Sequence, residues 1–119
     1  MTNTYRTFIA SPAALYAAFN VQPSLEAALR IYNEETLEFT LAAADGLDRT
    51  ALLAEAADVL YTVFGVLYAC TDPALWLDVA AEFEAAMQAV AAKNAAKRPE
   101  NGYGINGKGK ITKIEQETK

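Results

Sequence analysis

The feature that most constrains this chain is its central apolar stretch, Ala51 to Cys70, with the sequence ALLAEAADVLYTVFGVLYAC. Its apolar residues recur at helical spacing, and its only charged residues are Glu55 and Asp58. A helix that is apolar on almost every side belongs in the middle of a bundle, where an unpaired carboxylate is costly to bury. The stretch therefore predicts a central helix whose two acidic side chains have a partner elsewhere in the chain.

An upstream helical stretch, IYNEETLEFTLAA, supplies Glu35 and Glu38, and the turn sequence DGLD separates it from the central stretch. In an antiparallel helical hairpin about that turn, residues whose numbers add up to 93 face each other. Glu35 then lies opposite Asp58, and Glu38 lies opposite Glu55. Residues three apart share a helix face, so four carboxylates converge. Such a cluster repels itself unless protons or cations occupy it, and its oxygens suit hard ions such as Mg²⁺ or Mn²⁺.

Capping and breaking signals predict four helices, because Ser or Asp caps and Pro at first helical positions recur along the chain. They are expected over about residues 11–19, 24–44, 48–69 and 73–97. The predicted fold is therefore all-α, an antiparallel four-helix bundle in one domain of residues 1–119, with an N-terminal arm over residues 1–10. Gly65 within the third helix indicates close approach of a neighbouring helix.

From residue 98 to 119 the composition changes to glycine and lysine, which predicts an irregular C-terminal tail. The segment NGYGINGKGK has two interpretations: a flexible tail, or a loop that orders on an anion through its glycine backbone and its lysines. Composition favours the tail.

The charge distribution narrows the classes of partner. Net charge is -5, with twelve acidic and two basic residues from Glu26 to Glu84, and six basic residues with one acid from Lys93 to Lys113. No broad basic face for a nucleic acid polymer is predicted, whereas a small polyanion carried with its metal suits this pattern.

The chain has no histidine, which excludes His-based triads and His-rich zinc sites, and a single cysteine, which favours a reducing cytoplasm. The longest uncharged part of the central helix, Val59 to Cys70, is too short to span a bilayer, and no secretory signal is recognised.

The acidic pattern has a known counterpart. Glu34-Glu35-x-x-Glu38, then sixteen residues, then Glu55-x-x-Asp58, resembles the signature of the all-α nucleoside triphosphate pyrophosphohydrolases. This superfamily includes MazG-like proteins, dimeric dUTPases and phosphoribosyl-ATP pyrophosphohydrolases. The resemblance implies that Glu35, Glu38, Glu55 and Asp58 bind Mg²⁺, with Mn²⁺ as the alternative ion. It also implies catalytic roles for Glu34 and Glu35, with Glu34 making a further metal contact or orienting the attacking water.

The resemblance extends to the C-terminal part of the chain. Asn94-Ala-Ala-Lys97 is similar to the family's Asn-x-x-Lys, and the family implies that both residues contact the phosphates or the sugar. Lys108 and Lys110 lie in a Gly-Lys segment similar to the tail of several members, which implies that they reach the phosphates. In the segment LYAAFN, which precedes the second helix, the candidates for a substrate pocket are Tyr16, Phe19 and Asn20. For the two aromatic residues, packing in the core is the competing interpretation.

The resemblance implies an enzyme that cleaves a (d)NTP between its α and β phosphates and releases a nucleoside monophosphate and pyrophosphate. Active sites of this family are commonly built at subunit interfaces, which implies a homodimer or homotetramer that buries apolar surface around Gly65 and the fourth helix. A phosphoribosyl-ATP pyrophosphohydrolase is the alternative within the class. From a different class, the competing hypothesis is a catalytically silent helical module that binds a structural cation or a partner. The sequence leaves base and sugar open.

Overall fold

A computed structural model describes residues 2–21 and 23–114, and these residues are mostly helical. They form the helices α1 (Asn3–Ala18), α2 (Leu25–Ala44), α3 (Arg49–Ala69) and α4 (Trp76–Ala95), two 3₁₀ turns (Pro73–Leu75 and Pro99–Asn101), and the strands β1 (Tyr103–Ile105) and β2 (Ile111–Lys113). The chain divides into two compact units, Met1–Ala80 and Ala81–Lys119, so that α4 begins in the first and ends in the second.

The start of the chain differs from the predicted arm. Helix α1 begins at Asn3, and the side chain of Thr2 caps it by accepting a hydrogen bond from the Tyr5 backbone N–H at 3.1 Å. The Tyr5 ring meets the ring of the buried Phe64 edge-on at 5.8 Å, and its hydroxyl donates to the carbonyl of Ala80 at 2.7 Å. Contacts with residues distant in sequence therefore stabilise the first helix, although its local pattern is weak.

Pro12 was predicted at the first position of a helix, and this is wrong because Pro12 lies inside α1. Proline lacks the N–H that would bond to the carbonyl four residues earlier, which usually bends or ends a helix. Here Pro12 is buried, and the neighbouring carbonyl of Ile9 accepts a hydrogen bond from the indole Nε1 of Trp76 at 2.6 Å. Helix α1 therefore continues through Pro12, and a long-range hydrogen bond from Trp76 holds the adjoining turn.

The turn between α2 and α3 follows the sequence prediction. Gly46 has φ +70°, and its N–H donates to the carbonyl of Ala43 at 3.4 Å, while the N–H of Leu47 donates to Ala42 at 3.2 Å. This pair of bonds is a Schellman motif, which satisfies the last carbonyls of α2 and requires a positive φ at the glycine. Asp48 then caps α3 by accepting from the backbone N–H of Ala51 at 2.9 Å. The two helices are therefore joined by a short turn with its backbone groups bonded.

The first unit has a small core and many exposed apolar side chains. Its fully buried hydrophobic residues are mostly alanine and aromatic residues: Ile9, Ala28, Ala42, Phe64, Tyr68, Trp76 and Ala80. Leu37 and Leu53 are 59% and 62% exposed. Among the described residues, α3 is the one helix that is long and apolar enough to cross a membrane, a test that the core helix of a soluble protein also passes.

The second unit ends in a β-hairpin, which corrects the predicted irregular tail. Strands β1 and β2 pair antiparallel, with Tyr103 opposite Lys113 and Ile105 opposite Ile111. In the loop between them, Oδ1 of Asn106 accepts hydrogen bonds from the N–H groups of two lysines further along the loop, at 2.9 and 3.0 Å. An asparagine that binds backbone N–H groups in this way stabilises a turn. Residues 115–119 of the predicted tail lie outside the described residues.

Candidate metal centre

Helices α2 and α3 bring three of the four predicted metal ligands together. One carboxylate oxygen from each of Glu35, Glu55 and Asp58 lies within 4.8 Å of the other two. Glu35 and Glu55 are half-buried, whereas Asp58 is exposed. Glu38 is exposed and lies outside this group of three, but its side chain is close enough to interact with Glu35. We call Glu35, Glu55 and Asp58 the acidic cluster.

Two oxygens of the acidic cluster have no partner within the described chain. Oε2 of Glu35 and Oε2 of Glu55 are buried from solvent and accept no hydrogen bond. A buried carboxylate oxygen without a donor carries an uncompensated desolvation cost, since the charge has lost its water and gained nothing in return. The arrangement therefore calls for a proton or a cation at this place.

The electrostatics of Glu35 agree with that conclusion. Burial raises the pKa of Glu35 above its usual value of 4.5, and the nearby carboxylates of Glu38, Asp58 and Glu55 raise it further. Each cause acts against the charged form, because burial removes water and like charges repel. A bound cation would reverse the balance and keep Glu35 ionised.

The donor set fits a hard divalent cation. All three side chains offer oxygen, which Mg²⁺, Mn²⁺ and Ca²⁺ prefer over softer metals. Two ligands on opposite sides of Mg²⁺ lie about 4.2 Å apart, since each Mg–O bond is about 2.1 Å. A separation within 4.8 Å thus needs only small side-chain movements for all three oxygens to share one ion. Three protein ligands also leave coordination positions for water or a phosphate oxygen.

Glu34 lies outside the acidic cluster. It is exposed on α2. Its side chain leaves the helix about 100° around the axis from that of Glu35, as expected for consecutive helical residues. This placement separates Glu34 from the three oxygens but keeps it on the neighbouring surface of the same helix turn.

The residues proposed to wall a substrate pocket have different surroundings. Tyr16 is half-buried and stacks on Tyr68, with ring centroids 5.9 Å apart and an interplanar angle of 15°. Tyr16 and Asn20 also line one cavity together with Tyr68. Phe19 is 73% exposed and does not line this cavity. Tyr16 therefore both packs against another aromatic ring and lines a cavity. From the sequence, these two roles were competing interpretations.

The four remaining candidates lie in the second unit. Asn94 is exposed near the end of α4, and Lys97 is half-buried and lines a small cavity with Tyr103. Lys108 and Lys110 are exposed in the loop of the β-hairpin.

The hairpin loop does not offer the free glycine-rich backbone that one interpretation required. The N–H groups of Lys108 and Lys110 donate to Oδ1 of Asn106, and the N–H of Gly109 donates to the Asn106 carbonyl at 2.9 Å. These three donors are bound within the loop, so an anion would be held there by the lysine ammonium groups.

Sequence reasoning missed a cavity between α1, α2 and α3 that includes Tyr61, Thr62 and Gly65. Gly65 was interpreted as a point of close helix approach, but no helix of the described single chain approaches it closely, because a Cβ atom added there would meet none of its heavy atoms within 4 Å. The sequence signal that could have found the cavity is the pairing of facing residues in the α2–α3 hairpin. The numbers of Ala28 and Gly65 add up to 93, and these two residues form the smallest facing pair.

Comparisons of this chain with protein family models, with curated proteins and with solved structures find no match. The resemblance to the all-α pyrophosphohydrolases therefore rests on the sequence pattern of this chain alone.

Proposed function

We propose that this protein is a Mg²⁺-dependent nucleotide pyrophosphohydrolase, with Mn²⁺ as the alternative ion. It cleaves a (d)NTP between the α and β phosphates, gives a nucleoside monophosphate and pyrophosphate, and serves to control the nucleotide pool. The observation that carries this proposal is the acidic cluster, with two buried carboxylate oxygens that have no partner. The five acidic residues of the sequence pattern resemble the MazG-like signature, which supports the same reaction. They are Glu34, Glu35, Glu38, Glu55 and Asp58.

In this mechanism Glu35, Glu55 and Asp58 would hold the ion, with Glu38 as a fourth ligand. A hard divalent ion in such a site neutralises phosphate oxygens and lowers the pKa of a bound water. Glu34, exposed beside the cluster, orients the attacking water and accepts its proton. The water oxygen would bond to the α phosphorus as the bond from that phosphorus to the α–β bridging oxygen breaks, and the β and γ phosphates would leave as pyrophosphate.

Four further residues would contact the substrate in this proposal. Asn94 and Lys97 contact the phosphates or the sugar, and Lys108 and Lys110 balance the charge of the leaving pyrophosphate. Positive side chains are suited to this role because the charge on the leaving group increases as the bond breaks.

The proposal includes a MazG-like four-helix bundle protomer that assembles into a homodimer or homotetramer in the cytoplasm, with neither a membrane nor a nucleic acid polymer as partner. Apolar residues on α3 support assembly, because the exposed Leu53 and Leu60 and the half-buried Ala56, Val63 and Leu67 recur at spacings of three and four. This is the spacing of a seam between packed helices. Leu53 and Leu60 are 62% and 43% exposed in the single chain.

The test is to incubate the purified protein with canonical and modified (d)NTPs, phosphoribosyl-ATP and Mg²⁺, and to separate the products by chromatography. We expect a monophosphate together with pyrophosphate, and no reaction after chelation. Glu38→Gln and Asp58→Asn should lower kcat at least about 100-fold, as expected when several kcal/mol of transition-state stabilisation is lost. Glu26→Gln, an exposed control on α2 whose partner is Arg30, should retain full activity. Unchanged activity in both Glu38→Gln and Asp58→Asn would exclude the assigned site.

A second candidate function has the same observation in its favour. The buried oxygens of the acidic cluster would equally be satisfied by a structural cation in a module that has no catalytic activity. Thermal stabilisation by Mn²⁺ without turnover of any nucleotide in the panel would favour that module. Turnover of phosphoribosyl-ATP alone would instead place the protein in the narrower branch of the pyrophosphohydrolases.

A further inference from the structure

A cavity of about 160 Å³ lies between the first three helices of the first unit. We call it the Gly65 cavity, and the residues that matter to its chemistry are Tyr16, Ala28, Ile31, Tyr61, Thr62 and Gly65. We propose that the Gly65 cavity binds the base of the nucleotide and that its size selects a pyrimidine. This inference rests on the proposed function and specifies the substrate class of the same site.

The position of the cavity follows from the register of the α2–α3 hairpin. Facing residues in this hairpin have numbers that add up to 93, and the rung after Glu35 and Asp58 is Ile31 with Thr62. The next facing pair, one further helical turn along, is Ala28 with Gly65. Ile31, Thr62, Ala28 and Gly65 all line the cavity. One helical turn separates successive rungs, so the cavity begins about 6 Å along the helices from the carboxylates. A sugar between the α phosphate and a base can span such a separation.

The volume of the cavity distinguishes one ring from two. A protein cavity of about 150 Å³ with apolar walls accommodates benzene, a single six-membered ring. The Gly65 cavity, at about 160 Å³, has room for one ring of this size, and the second ring of a purine would have to lie outside it at the open mouth. The base with a single six-membered ring is the pyrimidine.

The walls have the chemistry that a neutral planar ring requires. Ala28, Ile31 and Gly65 provide apolar surface, and no lining residue carries a charge at neutral pH. Tyr61 shares a hydrogen bond of 3.0 Å with Ser11, and either hydroxyl can donate in it. When Ser11 donates and Tyr61 accepts in this bond, the O–H of Tyr61 remains available. It can then rotate to donate a hydrogen bond to a carbonyl of the base.

The absence of a side chain at Gly65 keeps the cavity open. A Cβ atom there would meet no heavy atom within 4 Å, and Gly65 lies in the middle of α3 without a positive φ. No backbone requirement therefore explains this glycine, although glycine inside a helix costs about 1 kcal/mol relative to alanine. Space for a ligand explains it, which makes Gly65 a position that determines specificity.

The experiment measures the binding of four non-hydrolysable probes, the α,β-imido analogues of dUTP, dCTP, dATP and dGTP, by calorimetry in Mg²⁺. In the native protein we expect at least one pyrimidine probe to bind about tenfold more tightly than either purine probe. Gly65→Leu should weaken that binding about tenfold because its side chain fills the cavity, within the range that small hydrophobic changes in a pocket produce. Gly65→Ala, the matched control, should change it less than about threefold, since a single methyl leaves most of the cavity free.

Two further measurements separate the ways in which this proposal could fail. Mn²⁺ affinity, measured by electron paramagnetic resonance, should be equal in all three proteins, and so should the oligomeric state. Equal binding of purine and pyrimidine probes, or a preference that survives Gly65→Leu, would overturn the inference and leave the proposed function intact. Dissociation of the oligomer by Gly65→Leu would also overturn it, because the cavity would then be a contact between subunits. Absence of Mg²⁺-dependent binding for all four probes would overturn the proposed function as well.

Discussion

Two hairpins in this chain handle their polar atoms in opposite ways. In the α2–α3 hairpin, buried oxygens of Glu35 and Glu55 have no partner. In the β-hairpin, Oδ1 of Asn106 accepts two backbone hydrogen bonds, and the ammonium group of Lys113 donates to the carbonyl of Asn101 at 2.9 Å. A buried carboxylate without a partner costs free energy, whereas a satisfied loop costs none. The helical hairpin therefore buries oxygens that have no hydrogen-bond partner among the described residues, whereas the loop of the β-hairpin binds its own polar groups.

The largest expected effect is the stabilisation of the helical hairpin by a cation. In the proposed site Mn²⁺ would bind the folded chain through the acidic cluster, so we expect it to stabilise that state by about 2.7 kcal/mol at 100 times its Kd. Calorimetric Tm values with and without Mn²⁺ measure this effect. Glu55→Gln removes a ligand and should abolish most of the increase, while Glu26→Gln should retain it. An equal increase in both variants would mean that the cation binds elsewhere.

The β-hairpin should respond to the loss of its own internal bonds. Asn106→Ala removes two hydrogen bonds in the loop, which we expect to destabilise the hairpin by about 1–2 kcal/mol, since an exposed bond contributes about 0.5–1 kcal/mol. Amide hydrogen exchange of residues 103–113 measures the loss. Lys108→Ala changes the same loop but keeps its backbone N–H, and it should leave the exchange rates nearly unchanged. Equal rates in both variants would show that Asn106 does not organise the loop.

The same difference explains how far each region could be predicted from sequence. The α2–α3 hairpin was predicted because its signals are local: a capping serine, a glycine that ends α2 and an aspartate that caps α3. Its length then determines which carboxylates face each other, so three of the four predicted ligands come together. Glu38 was the exception, because its exposed side chain has a choice of orientation that register does not determine.

The terminal regions could not be predicted in the same way. The first helix depends on Trp76 and Phe64, which are more than fifty residues away in sequence, so the pattern of residues 1–10 alone indicates no helix. The β-hairpin depends on the side chain of Asn106 and on short strands of three residues each. Its glycines and lysines have the composition of a flexible tail, and composition does not show the strand pairing or the Asn106 hydrogen bonds that form the hairpin.

The smallest expected effect is a pH dependence of stability in the metal-free protein. The pKa of Glu35 is raised in the folded chain above its usual 4.5. The folded state therefore binds this proton more tightly than the unfolded state does. Stability from this source is present at pH values below 4.5 and is lost as the pH rises through the folded pKa. Glu35→Gln cannot ionise at this position, so its stability does not fall as the pH rises. In chelator we therefore expect Glu35→Gln to have a higher Tm than the native protein at pH 7.5, with a smaller difference between the two at pH 4.

Saturating Mn²⁺ should invert that order, because Glu35→Gln then lacks a ligand that the native protein uses. Glu34→Gln is the matched control, since its side chain is adjacent in sequence but lies outside the acidic cluster, and it should follow the native protein in chelator and in Mn²⁺. If the native protein and Glu35→Gln showed parallel Tm profiles from pH 4 to 7.5 without metal, repulsion within the cluster would not destabilise the fold. The contrast between the two hairpins would then lose its electrostatic basis, and the two unpartnered oxygens would have to be satisfied by water.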